Sequence, residues 1–384
     1  MREVVIVEAV RTPVGKRKGA LSSVRPDELA SLVLKELVKR AGISPALVED
    51  VILGCVSQVE EQAINIARTA ALMADFPIHV PGTTIDRQCG SGQQAVHFAS
   101  QAIMCGDMDI VIAGGVESMT RVALGSTRQN SSWSESLTEK YEMIHQGLSA
   151  ERIAEKWGYS REKLDKFSLE SHLRAIRAQE SGYFEREIMP IEIINENGTK
   201  TVLTVDEGPR KDTSLEKLGT LKPAFKQDGM IHAGNSSQMS DGAAALLLMS
   251  KEKAVELGLK PRFRIIARSV IGSDPTLMLT GPIEATRLVL KKAGMTIEDM
   301  DTYEVNEAFA PVPLCWLDEL KADPKKLNPN GGAIALGHPL GATGARIMIS
   351  MMHELERTGG RYGLQAICEG GGMANATIIE RIDS

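Results

Sequence analysis

Thr83-Thr84-Ile85-Asp86-Arg87-Gln88-Cys89-Gly90-Ser91-Gly92 runs from a short β-branched stretch into a glycine-flanked cysteine. Residues 92–104 follow with helical spacing, and Ile110-Val111-Ile112-Ala113 ends on Gly114-Gly115. Strand, tight turn, helix and strand in that order make a βα unit, whose strands are buried on both faces. The alternation extends outward. Residues 2–9 and 51–55 read as strands and residues 26–39 and 62–74 as helices, which predicts an α/β fold with a mainly parallel sheet. From about residue 118 to 237 the pattern loosens into a polar stretch at 126–136 and amphipathic helices at 149–156 and 160–182, the mark of a long insertion. An apolar run at 241–249 and a strand at 262–270 restore the alternation, which continues through 282–292, 300–305 and 344–355.

The two halves echo each other. Cys89-Gly90-Ser91-Gly92, a helix and Ile110 to Gly115 match Gly337-His338-Pro339-Leu340-Gly341, a helix and residues 362–372. A repeated core of this kind carries its site at the strand–helix junctions where the repeats meet. A second cysteine turn, Cys368-Glu369-Gly370-Gly371-Gly372, closes the later repeat. Glycines let a substrate approach the backbone and leave N–H groups unpaired, and a following helix N-terminus favours a thiolate. A cysteine taken alone more often packs as a small hydrophobe. Two such turns with Asn306 and His338 form a set with a chemical use: one thiol, deprotonated by an imidazole, attacks an acyl carbonyl, and the other, its pKa tuned towards neutrality, moves a proton at carbon. Glycine N–H groups, Asn306 and His338 are suitable donors for the negative charge that builds on carbonyl oxygen.

Composition excludes several alternatives. The chain has 384 residues, 43% hydrophobic, 24% charged and 4% aromatic, enough for two or three full cores and without a signature of disorder. A net charge of −6 gives no basic field for nucleic acid, so an anionic ligand must be held by local cations and helix N-termini. The five cysteines (Cys55, Cys89, Cys105, Cys315, Cys368) read as reduced thiols. No C-x-x-C, no histidine pair at metal-ligand spacing, no Walker A and no G-x-G-x-x-G is present, which disfavours metal, nucleotide-hydrolysis and NAD chemistry. No signal, transit or peroxisomal segment is read, the tail being Arg381-Ile382-Asp383-Ser384, and the expected compartment is the cytoplasm.

At these residues the sequence closely resembles the thiolase family. The resemblance runs from Val4-Val5-Ile6-Val7-Glu8-Ala9-Val10-Arg11-Thr12-Pro13 through Cys89-Gly90-Ser91-Gly92, Gly114-Gly115-Val116-Glu117-Ser118-Met119, Ala233-Gly234-Asn235-Ser236-Ser237, Asn306-Glu307-Ala308-Phe309 and residues 331–341 to Cys368-Glu369-Gly370-Gly371-Gly372. It implies a thiolase fold: two similar βα repeats in a five-layer αβαβα arrangement, residues 1–250 and 260–384, with an inserted loop domain at about 119–237. It also implies reversible acyl transfer to and from coenzyme A, with acyl-CoA and CoA as substrates, no permanently bound cofactor or metal, no nucleic-acid or membrane partner, and a homodimer or homotetramer.

Carried over by motif, Cys89 is the acyl-bearing nucleophile and His338 its activator. His338 would also, with a water held by Asn306, stabilise the carbonyl oxygen of acetyl-CoA. Cys368 would be the acid/base at the α-carbon, and the N–H groups of Cys89 and Gly370 would form a second oxyanion hole. Arg210 matches an arginine near the adenine, Ser237 a serine near the pantetheine, Met278 and Phe309 apolar positions along the acyl or pantetheine path, and His145 a substrate-side histidine. Three residues depart from the pattern of short-chain biosynthetic members: Gln146 stands for methionine, Leu279 for glycine and Glu369 for the commoner isoleucine. These favour a 3-ketoacyl-CoA thiolase of fatty-acid or sterol side-chain degradation with a roomier acyl pocket. An acetoacetyl-CoA thiolase condensing two acetyl-CoA and a non-catalytic thiolase-like lipid carrier stay open as alternatives. A decarboxylating ketosynthase would put a second histidine at Asn306 and lacks support.

Overall fold

The computed structural model describes residues 2–129, 131–194 and 197–382, and the tail residues Asp383 and Ser384 lie outside it. The strands are β1 (Val4–Arg11), β2 (Gly15–Lys16), β3 (Asp50–Gly54), β4 (Gly82–Ile85), β5 (Ile110–Ser118), β6 (Ile191–Ile194), β7 (Lys200–Leu203), β8 (Ser240–Ser250), β9 (Phe263–Gly272), β10 (Thr302–Val305), β11 (Tyr362–Glu369) and β12 (Met373–Arg381). The helices are α1 (Pro26–Ala41), α2 (Ile66–Met73), α3 (Ser91–Cys105), α4 (Glu135–Thr138), α5 (Gln146–Lys156), α6 (Arg161–Glu180), α7 (Leu215–Gly219), α8 (Lys251–Glu256), α9 (Gly281–Ala293), α10 (Pro311–Leu320), α11 (Ala333–Leu336) and α12 (Leu340–Thr358).

The main strands run β10-β11-β12-β9-β1-β8-β5-β3-β4, with β2 beside β8. The link between β9 and β1 rests on only Val5↔Arg264 and Ile6↔Phe263, so two sheets meet there edge to edge. Within them β3–β4, β3–β5 and β10–β11 are parallel, whereas β1–β8, β5–β8, β9–β12 and β11–β12 are antiparallel. The expectation of a mainly parallel sheet is therefore wrong. A strand such as β8, buried at every position and apolar without a break over residues 243–249, reads the same whichever way its neighbours point.

Helices α1 and α2 cover the outer face of the first sheet, with Leu29, Val33 and Leu37 packed on Val51, Ile112 and Leu247. On the other side α9 and α10 cover the second sheet, with Val289, Val312 and Trp316 packed on Leu364, Ala366 and Ile378. Between the sheets lie α3 and α12, whose Val96, Ile103, Met348 and Met352 share one core with Val111, Leu246 and Ile379. The order α, β, α, β, α follows from two sheets that each need apolar cover on both faces. The two central helices cross so closely that glycine is required: a Cβ on Gly92 would lie 2.8 Å from the Gly341 carbonyl oxygen, and one on Gly344 would lie 2.1 Å from the Gln93 nitrogen.

One predicted helix starts later than expected. Residues 62–74 read as helical, but α2 begins at Ile66 because Asn65, with φ 54°, caps it and accepts from Arg68 N–H. Gln62 instead turns inward, its amide nitrogen donating to the Ser57 carbonyl and to Glu117 at 2.8 Å each. The segment between β5 and β8 carries α4 to α7 and the β6–β7 hairpin. It is tied to β1 by the buried Arg11 guanidinium, which reaches Asp206 with both terminal nitrogens (2.7 and 2.9 Å) and Glu187 through Nε (2.7 Å).

Candidate active site

The sequence places glycines where the backbone must turn sharply at the starts of α3 and α12, and both turns open on one cleft of about 1400 Å³. Cys89 stands two residues before α3, after Gln88 in the left-handed region (φ 48°). The turn is braced by Ser91, whose hydroxyl donates to the Gln88 carbonyl (2.6 Å) and accepts from Arg87 N–H (2.8 Å). The cysteine is 5% exposed, packs with Val56, Met119, Leu340 and Ile367, and lines the cleft.

His338 stands two residues before α12, after Gly337 (φ 100°), where a Cβ would lie 2.2 Å from the Ser240 hydroxyl. Its ring is held at both ends. The Thr343 hydroxyl donates to the Pro339 carbonyl (2.9 Å), so at 2.6 Å it can only accept from His338 Nδ1–H. That fixes the tautomer and leaves Nε2 with its lone pair, 3.3 Å from Asn306 Nδ2, which donates. Asn306 follows β10 and is buried, and its Oδ1 has no partner among the described residues. Burial, reinforced by the Arg346 charge, pushes the His338 pKa down to about 3, so the imidazole is neutral at rest and Nε2 is an acceptor.

Cys368 does not line the cleft. It lies near the end of β11, 0% exposed, and alternates with its neighbours: Leu364, Ala366 and Cys368 face the core that contains Met278, Ala308 and Phe309, whereas Ile367 packs with Cys89. Met278, Ala308 and Phe309 line the cleft, and the Cys89 charge acts on the Cys368 thiol, so the second sulfur lies close to the first. Gly370 and Gly371 begin the turn from β11 to β12 and line the cleft themselves. The two cysteine turns thus differ in kind, since a hairpin rather than a helix follows Cys368.

Neither thiol is a thiolate at rest, contrary to the sequence expectation. Burial, with Glu369 as the next cause, pushes the Cys89 pKa up to about 12, and burial followed by the Cys89 charge pushes Cys368 well above the thiol range. The low dielectric around both sulfurs outweighs the N-terminus of α3. Each thiol needs a base at the moment of reaction.

Of the other predicted residues, Arg210, Ser237, His145, Met278 and Phe309 all line the same cleft. Met278 and Phe309 are buried, and Phe225 stands edge-on to Phe309 (5.8 Å) and stacks on His145 (5.1 Å). The Ser237 N–H donates to the Ala308 carbonyl at 2.9 Å. Arg210 is exposed at the rim together with Lys16, Arg17, Arg128 and Lys211, a local cationic cluster in a chain of net negative charge. Of the three departures from the family pattern only Gln146 reaches the cleft. Leu279 and Glu369 are buried behind it and cannot widen it, so the case for a roomier pocket from those two residues fails.

Several site residues were not predicted. Thr343 orients His338, Gln88 shapes the nucleophile turn, and Glu307, inside the Asn306 motif, accepts from Ser171, Asn328 and Ile334 N–H and so fixes the loop that leads to His338. Glu117 accepts from Val56 N–H, Ser57 N–H, Gln62 and Gly341 N–H at 2.8 to 3.0 Å, joining the two halves at the start of α12. An acid inside a family motif was the available signal for both glutamates.

The chain matches known proteins along nearly its whole length. Residues 4–252 match the model of the thiolase N-terminal domain and residues 259–381 that of the thiolase C-terminal domain. The chain is 50% identical over 395 residues to a steroid 3-ketoacyl-CoA thiolase of Mycobacterium tuberculosis, covering 100% of this chain and 95% of that protein. It is 45% identical over 401 residues to a 3-oxoadipyl-CoA/3-oxo-5,6-dehydrosuberyl-CoA thiolase of Escherichia coli, with 100% of both chains covered. The crystal structure of the Bacillus anthracis acetyl-CoA acetyltransferase superposes with a TM-score of 0.92 at 46% identity, covering 100% of this chain and 99% of that one.

Proposed function

Because the chain belongs to the thiolase family, we propose that it is a 3-ketoacyl-CoA thiolase, cleaving 3-oxoacyl-CoA with CoA to acetyl-CoA and a shortened acyl-CoA. The observation that carries this reading is the meeting of Cys89, Gly370 and His338 at one cleft, with Asn306 bonded to His338 and Cys368 near enough to Cys89 to feel its charge. Cys89 gives its proton to His338 Nε2 and its sulfur attacks the 3-keto carbon. The C2–C3 bond breaks, the electron pair leaves on the enolate of acetyl-CoA, and Cys368 protonates that carbon. The Cys368 thiolate then takes the proton of the incoming CoA thiol, CoA sulfur attacks the acyl-Cys89 thioester, and His338 returns the proton to Cys89. In this scheme Cys89 and Gly370 N–H groups hold one carbonyl oxygen, and His338 with an Asn306-held water holds the other.

The rim cations, with Arg210 at the adenine end and Ser237, Met278, Phe309 and His145 along the path, are assigned to CoA and its acyl chain. All the chemistry is thiol, imidazole and amide chemistry, so CoA acts as substrate and no permanent cofactor is invoked. The names of the relatives favour the degradative direction, in β-oxidation of fatty-acid or related acyl chains. Condensation of two acetyl-CoA is the same path in reverse and is the second reading, favoured by the similarity to the Bacillus anthracis enzyme. We assign the protein to the cytoplasm: all five cysteines are free, and no helix among the described residues is long and apolar enough to cross a membrane. Self-association, as a dimer or tetramer, is supported by the open edge of β4 beside Ile64 (92% exposed) and Ile78 (85%).

The test is thiolysis of 3-oxoacyl-CoA esters of increasing chain length, followed by loss of the magnesium–enolate absorbance, in wild type and two variants. Cys89→Ser should form no acyl-enzyme. Cys368→Ser should still be acylated by an acyl-CoA but lose thiolysis by at least roughly a thousandfold. No turnover of any 3-oxoacyl-CoA by the wild type, or equal loss of acylation in both variants, would refute the assignment.

A further inference from the structure

Glu369 is the least satisfied acid beside the reactive groups. It is 0% exposed, and neither carboxyl oxygen accepts a hydrogen bond from any described residue. Its side chain alternates away from Cys368 and reaches the nucleophile turn, where a Cβ added to Gly90 would lie 2.0 Å from Glu369 Oε1. The space left by the missing Gly90 side chain is therefore filled by this carboxyl. On the other side Asn375 donates to the Gly90 carbonyl at 3.1 Å, so the turn that carries Cys89 is held between β11 and β12. A buried carboxylate without donors is costly, and an aliphatic side chain would fill the same volume without that cost.

We propose that Glu369 is a positioning residue for the nucleophile, its neutral carboxyl seating the Cys89–Gly90 turn and its ionised form opposing the Cys89 thiolate. The inference rests on Cys89 being the nucleophilic thiol. Every titratable or charged group that faces Glu369 bears on it. The turn before α3 presents Asp86, Arg87 and Cys89, β11 presents Cys368, and β12 contributes only the neutral Met373 and Asn375. Burial pushes the Glu369 pKa up to about 8, partly offset by Arg87 and reinforced by Asp86. Near neutral pH the group is thus protonated and leaves the Cys89 thiolate unopposed, and it becomes an obstacle as pH rises past that value.

The test uses iodoacetamide on the intact protein from pH 7 to 9.5, with labelling of the Cys89 peptide followed by mass spectrometry. Cys105, an exposed thiol, serves as the internal reference. In the wild type the Cys89 rate should bend below the Cys105 trend above about pH 8. Glu369→Gln, and Glu369→Leu as a second uncharged variant, should remove the bend, giving roughly tenfold faster labelling than wild type at pH 9.5 and rates within about twofold at pH 7. A wild-type curve that follows a single thiol through pH 9.5, or a bend retained in both variants, would overturn the proposal. Labelling needs no acyl-CoA turnover, so a protein inactive in thiolysis would leave this test intact.

Discussion

The two central helices begin alike and serve different ends. Cys89 precedes α3 by two residues and His338 precedes α12 by two, and each helix has glycine at its second position, Gly92 and Gly341, where the pair cross. Each repeat also carries a buried glutamate at the eighth position of its following strand, Glu117 on β5 and Glu369 on β11. There the likeness stops. Glu117 accepts four hydrogen bonds and ties the halves together, whereas Glu369 accepts none and lies against the nucleophile turn. A repeated backbone has kept its close-packed crossing and changed the side chains that face the cleft.

The largest expected effects test this pair of acids. Glu117→Gln turns an amide N–H₂ towards two backbone donors, which should cost about 3 kcal/mol and lower the Tm by several degrees. Glu369→Gln should do the opposite in a pH-dependent way. The folded protein holds a Glu369 proton up to about pH 8, and the unfolded chain releases it near the ordinary 4.5. Folding therefore gains from this group below pH 4.5 and loses that gain as pH climbs to 8, by up to roughly 1.4 kcal/mol per pH unit. Thermal unfolding at pH 5 and pH 8 should show the Tm of Glu369→Gln rising relative to wild type at the higher pH. A falling Tm in both variants at both pH values would mean that the two acids are alike after all.

Thr343 sharpens the contrast between the helix starts with a smaller effect. Its counterpart at the fourth position of α3 is Gln94, whose Oε1 has no partner, so only the second repeat uses this position to hold a ring. Thr343→Val removes the acceptor for Nδ1–H and lets the imidazole take the wrong tautomer. A fall in kcat of about tenfold with KM little changed, restored by Thr343→Ser, is expected from steady-state thiolysis. An equal rise in KM would instead point to a displaced loop.

What could be read from the sequence follows from the range of the interactions. The turn of Cys89, the helix after it and the match of Cys89-Gly90-Ser91-Gly92 to His338-Pro339-Leu340-Gly341 depend on neighbours in the chain, and the motifs carried Asn306 and Cys368 with them. Strand direction was not legible, because β8 is apolar without a break over residues 243–249 and is buried throughout. Nor were the roles of the glutamates. Glu117 is set by Gly341, 224 residues away, and Glu369 by Gly90 in the other half of the chain, so nothing local marks one as satisfied and the other as bare. The same holds for the resting state of the thiols: burial from both sheets, invisible in a glycine-rich turn, overrides the helix N-terminus.

The smallest predicted effect asks whether the difference between the halves reaches substrate choice. Gln146 comes from the insertion of the first half, and its Nε2 would be 3.0 Å from a Cβ on Gly370 of the second, with Gln88 Oε1 at 3.2 Å. Glutamine and methionine have similar volumes, so Gln146→Met changes the polarity of this wall and hardly its room. An amide facing an alkyl chain gains nothing in the transition state, whereas an oxygen on the chain gains a hydrogen bond that methionine cannot give. The ratio of kcat/KM for 3-oxoadipyl-CoA over 3-oxohexanoyl-CoA should therefore fall by roughly three- to tenfold in Gln146→Met, mostly through loss on the oxygenated substrate. An unchanged ratio would place the acyl chain elsewhere in the cleft and confine the asymmetry of the two repeats to the bond-making groups.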